Sequence, residues 1–486
     1  ATRKYFFTVV GLFLVQIGMG VATAHDAVEG NALYGLDLSR ILPYAASRSW
    51  HLQLAVFWIA TCWLATGLYL GPKLSAREPK GQWLGVAGLL VALVVVVVGA
   101  LTGSHQAILG KLSGSFLLGH QGYEYVELGR LWQILLTVGM VGWLVLVLRA
   151  LLPALRGERG RLGLLKLFVL SAIAIPLFYS AGFMYTRETH VALAEYWRWW
   201  VVHLWVEGFF EVFATVAIAL LSTRMGLLKE GTALRAVSLS MGLFLGSGVI
   251  GTFHHLYYTG SPAFVSALGS VFSALEIVPL TIVGFEIAQS LRAGRAVGSG
   301  YEWPFRFFAA VCFWNLLGAG VFGMLINPPS ILYFGQGLNT TPIHSHAALF
   351  GVYGFLAISL MLFALRGMTP DRAWDEKWLR FGFWGLNLGL GLMLVLSLIP
   401  SGFYQIAQSL EHGTWYARSA EVVQSPLMRA FTWLRMPGDV LFGLGALAVI
   451  VFTFKAVTGA WRWRGAEEAE PREAPAAVPA LLAAKD

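Results

Sequence analysis

Charged residues and cysteines are scarce in this sequence. Asp, Glu, Lys and Arg make up only 12% of the 486 residues, about half of the roughly 25% that is usual in soluble domains. A soluble fold of this length could not cover its own surface with so few charges. The two cysteines, Cys62 and Cys312, both lie inside apolar runs, which excludes a disulfide scaffold and is typical of buried thiols that only pack.

Apolar residues dominate the chain instead. The types AVILMFWYC account for 57% of it, which excludes a disordered chain, because disorder needs low hydrophobicity. A transmembrane helix needs ~20 largely apolar residues, and the period-2 alternation of outer-membrane barrels is absent. The sequence therefore predicts an all-α, polytopic membrane bundle of twelve helices, with approximate bounds 5–25, 50–71, 82–104, 129–148, 166–186, 198–223, 236–257, 263–290, 304–326, 343–365, 380–400 and 433–455.

Basic residues indicate the orientation of this bundle. Cytoplasmic loops carry an excess of Lys and Arg, and most of the 34 basic residues fall inside if the N-terminus is cytoplasmic. We therefore expect both termini in the cytoplasm. The same rule explains the net charge of +8 without a nucleic-acid partner. The membrane domain is predicted to cover residues 1–460, and the Ala/Pro/Glu-rich residues 461–486 are expected to form a disordered tail.

The eleven histidines all fall in outer loops or in the outer halves of helices on this topology. Ionisable groups at membrane depth are costly and usually functional. In HLWVE, His203 and Glu207 are four residues apart, about 40° around an α-helix, so both could face one ion. His254 and His255 could close the same site, and three imidazoles with one carboxylate suit non-haem iron better than copper. The alternative is an interhelical hydrogen bond and a polar helix end.

His344 and His346 lie two residues apart at the start of the predicted tenth helix, so they point about 200° away from each other. They cannot share one ion, but each could hold its own large planar cofactor through a neutral imidazole. His51, at the outer start of the second helix, is at the right depth to be a second axial ligand. The alternative is a set of hydrogen-bonding histidines at the membrane interface.

Longer motifs surround these residues: HLWVEGFFEVF (203–213), GTFHH (251–255), FSALEIVPL around Glu276, and TPIHSHAALFGVYG (341–354). They closely resemble the catalytic subunit of bacterial nitric oxide reductases, the iron-containing branch of the haem-copper oxidases. The resemblance spans nearly the whole chain. It extends to the quinol-dependent type through TAHDAVEG (23–30), GHQGYEYVELGRLWQ (119–133) and GTWYARSAEVVQ (413–424). Oxidases of the group carry a tyrosine where Glu207 stands, so this glutamate is the discriminating residue.

The resemblance implies the reaction 2 NO + 2 e⁻ + 2 H⁺ → N₂O + H₂O at a haem b3 and non-haem iron pair. It implies four ligands of the non-haem iron: His203, Glu207, His254 and His255. It implies three haem ligands: His344 for the high-spin haem b3, and His51 and His346 for a low-spin haem b. It also implies two further carboxylates: Glu276 as a proton-delivering acid near the iron, and Glu124 as a calcium ligand between the haem propionates.

Electrons must come from outside the chain, because it has no CxxCH motif for a c-type haem. His25 and Glu29, at the outer end of the first helix, and Asp439 match the quinol-binding residues of the quinol-dependent enzymes. A histidine and carboxylates there could accept the two protons of quinol. Leu33 departs from this pattern, because an aromatic ring over the quinone is expected at its position. The alternative is a helix cap by Asp439 beside unrelated interfacial residues.

The resemblance also sets expectations for the surroundings of the chain. Single-chain quinol-dependent enzymes carry a soluble outer domain and an extra helix ahead of the region where this chain begins. In cytochrome-dependent enzymes a separate anchored subunit covers the same surface. We therefore expect a multi-pass protein of the bacterial cytoplasmic membrane, with a cytochrome-like partner subunit or a missing N-terminal domain on its outer face. Ala1 fits a trimmed or split chain, and a homodimer is a further expectation.

Three alternatives remain open. One is the large subunit of a cytochrome c-dependent nitric oxide reductase, which has the same active site. Another is a nitric oxide dismutase, against which the intact iron-ligand set argues. A third, from a different class, is a transporter with histidine-gated protons, which would hold no haem.

Overall fold

The computed structural model describes residues 1–464 apart from 31, 34, 113–114, 121–127, 158–162, 225–227, 276–277, 279–280, 283–284, 286–288, 290–299 and 370–373. Across the described chain the secondary structure is helical except for one antiparallel pair, Ala32–Leu33 (β1) with Leu36–Asp37 (β2), in which Ala32 opposes Asp37. The predicted all-α fold class is confirmed. The chain divides into two compact units, Ala1–Phe209 and a second unit that begins at Phe210.

The first unit contains six α-helices. They are α1 Arg3–Glu29, α2 Tyr44–Leu74, α3 Gln82–Ile108, α4 Arg130–Gly157, α5 Gly163–Tyr179 and α6 Val191–Trp199. In α2, 89% of the most apolar stretch is buried, whereas the matching figure is 28% in α3 and in α4. An apolar helix that stays exposed needs lipid around it, so α2 forms the core of this unit and α3 and α4 face the bilayer.

Indole and phenol groups connect the helices of the first unit. The Trp143 Nε1–H of α4 donates to the Leu64 carbonyl of α2 at 2.9 Å, and the Tyr5 hydroxyl of α1 donates to the Val86 carbonyl of α3 at 2.8 Å. All polar groups at membrane depth need such partners, because lipid offers none. These bonds therefore fix the register between neighbouring helices.

The second unit contains the remaining fourteen α-helical segments of the described chain. They are α7 Ala214–Arg224, α8 Glu230–Leu243, α9 Val249–Gly251, α10 Ala263–Ala274, α11 Glu302–Trp314, α12 Gly323–Ile326, α13 Pro329–Gly335, α14 Thr340–Ser345, α15 Phe355–Arg366, α16 Glu376–Met393, α17 Ile399–His412, α18 Ala420–Val423, α19 Pro426–Trp433 and α20 Met436–Arg464.

Glycines let α16 and α20 approach closely. Gly382, Gly385 and Gly389 all face α20, and a Cβ added to Gly385 would lie only 2.8 Å from the Cα atom of Gly445. Small residues at such a contact allow two backbones to pack closely in the membrane, where the hydrophobic effect does not drive helix association.

Ten helical stretches of the described residues are long and apolar enough to cross a membrane. The protein is an integral membrane protein. Ten of the twelve predicted spans correspond to these stretches. The predicted span 236–257 corresponds to a helix that is interrupted at residues 244–248 and ends at Thr259. The predicted span 263–290 begins as α10 and then continues into residues that are only partly described.

Six π-helical segments interrupt the α-helices of the described chain. They are Trp200–Leu204, Glu207–Phe213, Phe244–Gly248, Asn315–Phe322, His346–Gly354 and Leu394–Leu398. A π-helix is rare and occurs mainly where function requires a local change of direction. Two of these segments contain histidines, His203 in Trp200–Leu204 and His346 in His346–Gly354.

Candidate active site

His51 lies on α2 and is held against α1. Its Nδ1–H donates to the Gln16 carbonyl at 2.9 Å, which is shorter than the 3.2 Å to the Gln16 side-chain nitrogen. Gly20 makes room for the ring, because a Cβ there would lie 2.7 Å from the imidazole Cε1. The carbonyl bond assigns the proton to Nδ1 and leaves the lone pair on Nε2, the nitrogen that would bind a metal.

His344 lies in the last turn of α14 and is held in the same way by a different helix. Its Nδ1–H donates at 2.8 Å to the carbonyl of Gly318, which lies in the π-helical segment Asn315–Phe322. The wider winding of that segment changes the direction of its backbone groups relative to an α-helix. The lone pair of this half-buried imidazole is therefore also on Nε2.

His346 follows two residues later, at the first position of the π-helical segment His346–Gly354. Its Nδ1–H donates to the Pro342 carbonyl of its own helix at 2.8 Å, and its Nε2 is 3.4 Å from Nη2 of Arg435. The two histidines thus contact different elements of the second unit.

The three predicted haem ligands have the same tautomer, with the proton on Nδ1. Each imidazole is half-buried and donates from Nδ1 to a backbone carbonyl. A histidine that binds a metal through Nε2 usually makes such a bond, which fixes the ring orientation and raises the basicity of the ligand. The donor set therefore fits haem iron.

His254 and His255 form the second histidine group, on the 3₁₀ segment Thr252–Thr259. Their Nε2 atoms are 2.7 Å apart, and the ring centroids are 4.0 Å apart in a T-shaped arrangement. Two nitrogens bound at about 2.1 Å to one ion at a right angle would be about 3.0 Å apart. The rings would need to separate by only a few tenths of an ångström, so this pair fits a shared metal ion.

A close helix contact positions the histidine pair. A Cβ added to Gly269 of α10 would lie 2.3 Å from the backbone nitrogen of His254, so only glycine permits this packing. Thr252, which begins the segment, is fully buried and donates to the Gly248 carbonyl at 2.9 Å. The backbone before the pair is therefore fixed on both sides.

His203 and Glu207 belong to two successive π-helical segments, Trp200–Leu204 and Glu207–Phe213. The sequence predicts α-helical spacing between them, and the structure has π-helical winding at both residues instead. The i→i+5 pattern of a π-helix advances less per residue than an α-helix does. His203 is half-buried, and the side chain of Glu207 lies outside the described residues.

Two predicted carboxylates lie outside the described residues altogether, namely Glu124 and Glu276. The predicted quinol residues are partly described. His25 is half-buried near the end of α1, whereas the side chains of Glu29 and Leu33 lie outside the described part of the chain.

Asp439 is paired with an arginine that the sequence analysis did not single out. The Nε atom of Arg435 lies 2.9 Å from Oδ2 and 3.0 Å from Oδ1 of this carboxylate. The spacing of four residues on a helix was a visible signal for the pair. Because Arg435 also approaches His346, it lies between a predicted haem ligand and a predicted quinol residue.

A second unpredicted pair precedes His203. Arg198 lies 3.3 Å from Glu195, and the Trp199 indole donates to the same carboxylate at 3.0 Å. Both charged side chains are less than one-fifth exposed, at 12% and 18%. This ion pair lies within α6, immediately before the π-helical segment that carries His203.

Comparison with known proteins agrees with this histidine-rich membrane fold. The sequence model of the family described as "Cytochrome C and Quinol oxidase polypeptide I" matches residues 1–441. The chain belongs to this family. As a family member of the haem-copper oxidase type, it is an oxidoreductase that uses haem and metal cofactors.

Two relatives extend the comparison. The chain is 27% identical over 472 residues to a nitric oxide reductase subunit of Stutzerimonas stutzeri, and the alignment covers 93% of this chain and 94% of that protein. A haem-copper terminal oxidase solved as a dimer by cryo-electron microscopy superposes with a TM-score of 0.65 at 15% identity. That alignment covers 95% of this chain and 84% of the other, and it confirms the predicted haem-copper oxidase fold.

Proposed function

We propose that the protein is a quinol-oxidising nitric oxide reductase that converts two NO into N₂O and water. The observation that carries the proposal is Glu207 in HLWVE, at the position where oxidases of the group have tyrosine. The similarity over nearly the full length to a nitric oxide reductase polypeptide supports it. A carboxylate in place of a phenol supplies a hard anionic ligand, which suits iron.

The proposed non-haem iron ligands are His203, Glu207, His254 and His255. The 2.7 Å separation of the Nε2 atoms of His254 and His255 supports this set, because the two rings already face one point. When bound, the iron and the neighbouring haem supply electrons and hold two NO molecules close together. The chain's part is to keep the imidazoles neutral and the carboxylate ionised for binding.

The proposed haem ligands are His344 for haem b3, and His51 and His346 for the low-spin haem b. Their Nδ1-to-carbonyl bonds support this assignment. Two further roles rest on the resemblance alone: Glu276 would deliver protons to the site, and Glu124 would bind calcium.

Quinol would bind near the outer membrane boundary at His25, Glu29 and Asp439, and its electrons would pass to the low-spin haem b. Quinol releases two protons and two electrons, and NO reduction consumes the same number, so the overall reaction balances. The imidazole and the carboxylates would accept the protons. Arg435 would orient Asp439, because its guanidinium contacts both carboxylate oxygens.

The remaining proposals concern the surroundings. The protein would lie in the bacterial cytoplasmic membrane with both termini inside, residues 1–460 forming the membrane domain and 461–486 a tail. A cytochrome-like partner subunit or an N-terminal domain would cover the outer face, and a homodimer is a further proposal. The relative from Stutzerimonas stutzeri is named as one subunit of its enzyme, which supports a multi-chain assembly.

The decisive test combines gas analysis with spectroscopy. We expect the purified full chain to show b-type haem bands, to contain non-haem iron, and to form N₂O from NO with quinol as donor. Glu207→Ala should lower the rate at least 100-fold and remove the non-haem iron while both haems stay. Glu411→Gln, which changes a carboxylate that is 65% exposed, is the matched control and should have no effect.

The same experiment separates the alternatives. Formation of O₂ instead of N₂O would favour a dismutase and contradict the proposal. Family membership already argues against a transporter. Absence of haem from the purified chain would favour a transporter and contradict the proposal. A cytochrome c-dependent reductase shares the active site, so only the electron donor distinguishes it.

A further inference from the structure

One face of α16 exposes an apolar stripe headed by a lysine. We call Lys377, Phe381, Trp384 and Leu388 the α16 stripe; the four residues are spaced three and four apart, so they share one helix face. Phe381, Trp384 and Leu388 are 48%, 56% and 52% exposed. Lys377 is exposed as well. The stripe thus combines a cationic head with a continuous apolar surface.

A second lysine, on the neighbouring helix α20, lies near the Lys377 end of the α16 stripe. The Nζ atom of Lys455, on α20, lies 4.8 Å from the centre of the Trp378 ring. Trp378 directly follows Lys377, and it lies on the side of α16 that packs against α20, since Gly382 one turn later contacts Val449. The Lys455 ammonium is therefore oriented by a cation–π contact with the residue next to Lys377.

No acidic side chain of the described residues neutralises the positive charge of these two lysines. Across the described chain, neither Lys377 nor Lys455 has an acidic partner within ion-pair distance. Asp375 accepts from the backbone N–H of Lys377 at 3.2 Å and so is engaged as a helix cap. Glu376 points about 100° away from Lys377 around the helix. An external anion would therefore balance the positive charge of Lys377 and Lys455.

We propose that this surface binds one anionic phospholipid, with its phosphate between Lys377 and Lys455 and an acyl chain along the α16 stripe. The length fits. From Lys377 to Leu388 the helix rises about 16 Å, and one leaflet of hydrocarbon is about 15 Å thick. A free anion would have no use for the apolar stripe.

The general preference for basic residues on the cytoplasmic side explains why lysines occur here. It does not explain why an exposed apolar stripe begins at one of them, Lys377. Basic clusters between transmembrane helices bind anionic head groups by charge complementarity. This site therefore selects lipids by the charge of the head group.

Native mass spectrometry of the full chain in detergent tests the proposal by titration with phosphatidylglycerol and phosphatidylcholine. We expect phosphatidylglycerol to bind at least tenfold tighter. The double variant Lys377→Gln/Lys455→Gln should weaken phosphatidylglycerol binding tenfold or more and leave phosphatidylcholine unchanged. The control Lys73→Gln/Lys166→Gln removes two charges from the same predicted membrane side and should bind both lipids as the wild type does.

Two further measurements keep the outcome clear. Lys377→Arg/Lys455→Arg should retain phosphatidylglycerol binding, and Trp384→Ala should weaken both lipids about equally. Wild-type binding of phosphatidylglycerol by the Gln double variant would overturn the proposal. Equal affinity of the wild type for both lipids would overturn it too. So would equally tight binding of water-soluble glycerophosphoglycerol, because that result would indicate a simple anion site.

Discussion

An imidazole can bind a metal through only one neutral nitrogen at a time, and the hydrogen bond at the other nitrogen decides which. In His51, His344 and His346 the deciding partner is a backbone carbonyl, at 2.9, 2.8 and 2.8 Å. A carbonyl cannot donate, so it keeps the proton on Nδ1 at every pH at which the ring is neutral. Substituting the acceptor residue leaves this bond in place, because every residue has a carbonyl.

The use of backbone carbonyls as acceptors limits what the sequence reveals about individual ligand residues. Histidine, glutamate and their spacing are visible in the sequence, so the candidate ligands could be named from it. The carbonyls of Gln16, Gly318 and Pro342 carry no sequence signal, because any residue supplies one. Arg435 was overlooked for a different reason: an arginine four residues from an aspartate is common on helices, and only the contact with His346 distinguishes it.

Variants at the proposed quinol site should separate the electron donor from the active site. We expect His25→Ala to lower the quinol-driven rate of NO reduction at least tenfold, because a proton acceptor is lost. The rate with an artificial electron donor should stay within twofold. Oxygen-free assays with both donors measure this ratio.

The matched control is His412→Ala, which changes an exposed histidine on α17 and should leave both rates unaltered. Asp439→Asn should behave as His25→Ala does, with an additional loss of the ion pair to Arg435. Equal loss with both donors in His25→Ala would contradict a role in quinol oxidation. An unchanged quinol rate would favour a cytochrome donor.

At the scale of elements, the π-helical segments are what positions the candidate ligands. His203, Glu207 and His346 lie within them, and the carbonyl that accepts from His344 belongs to another. A π-helical segment costs backbone stability and is found where tertiary packing compensates for it. Hydrophobic periodicity cannot reveal this, since one added residue per turn shifts the pattern no more than ordinary sequence variation does.

The membrane-spanning helices, in contrast, could be predicted from their apolar runs. The residues at which these helices end could not be predicted from the apolar runs. The predicted span 380–400 lies within a helical stretch of Glu376–His412, because α17 continues as an amphipathic helix with Gln405 and Ser409 on its buried side. Polar residues end a hydrophobic run but not a helix, so composition alone misses such extensions.

The contact between α10 and the histidine pair gives a prediction for one element. Gly269→Ala would place a methyl group 2.3 Å from the His254 nitrogen, so the helix or the histidine segment must move. We expect destabilisation by about 1–3 kcal/mol and at least a twofold loss of non-haem iron. Metal analysis and thermal unfolding measure the two effects.

The control for this variant is Gly391→Ala on α16, where a Cβ would meet no atom within 4 Å. It should keep the wild-type iron content, and its stability should be equal or slightly higher, because alanine favours helix. Full iron content in Gly269→Ala would show that the packing of α10 does not position His254 and His255. Haem content should stay constant in both variants.

At the scale of the whole molecule, charged side chains lie at the ends of the membrane-spanning helices. Arg306 lies 4.7 Å from the Trp303 ring, Arg366 lies 5.3 Å from the Trp374 ring, and Lys455 covers Trp378. All of these pairs fall at span ends that the sequence assigns to the cytoplasmic side. Aromatic rings and basic residues together favour the membrane–water boundary. The low charge content of the chain is thus compatible with a defined orientation.

That orientation can be measured with single cysteines. Trp415, in the loop after α17, is 83% exposed and is predicted to lie outside, whereas the exposed Lys377 is predicted to lie inside. A membrane-impermeant maleimide should label Trp415→Cys in intact cells and Lys377→Cys only after permeabilisation. Cys62 is buried and Cys312 is part-buried within α11, so the unmodified chain should give little background. The reverse pattern would invert the topology and place the lysines of the proposed lipid site in the other leaflet.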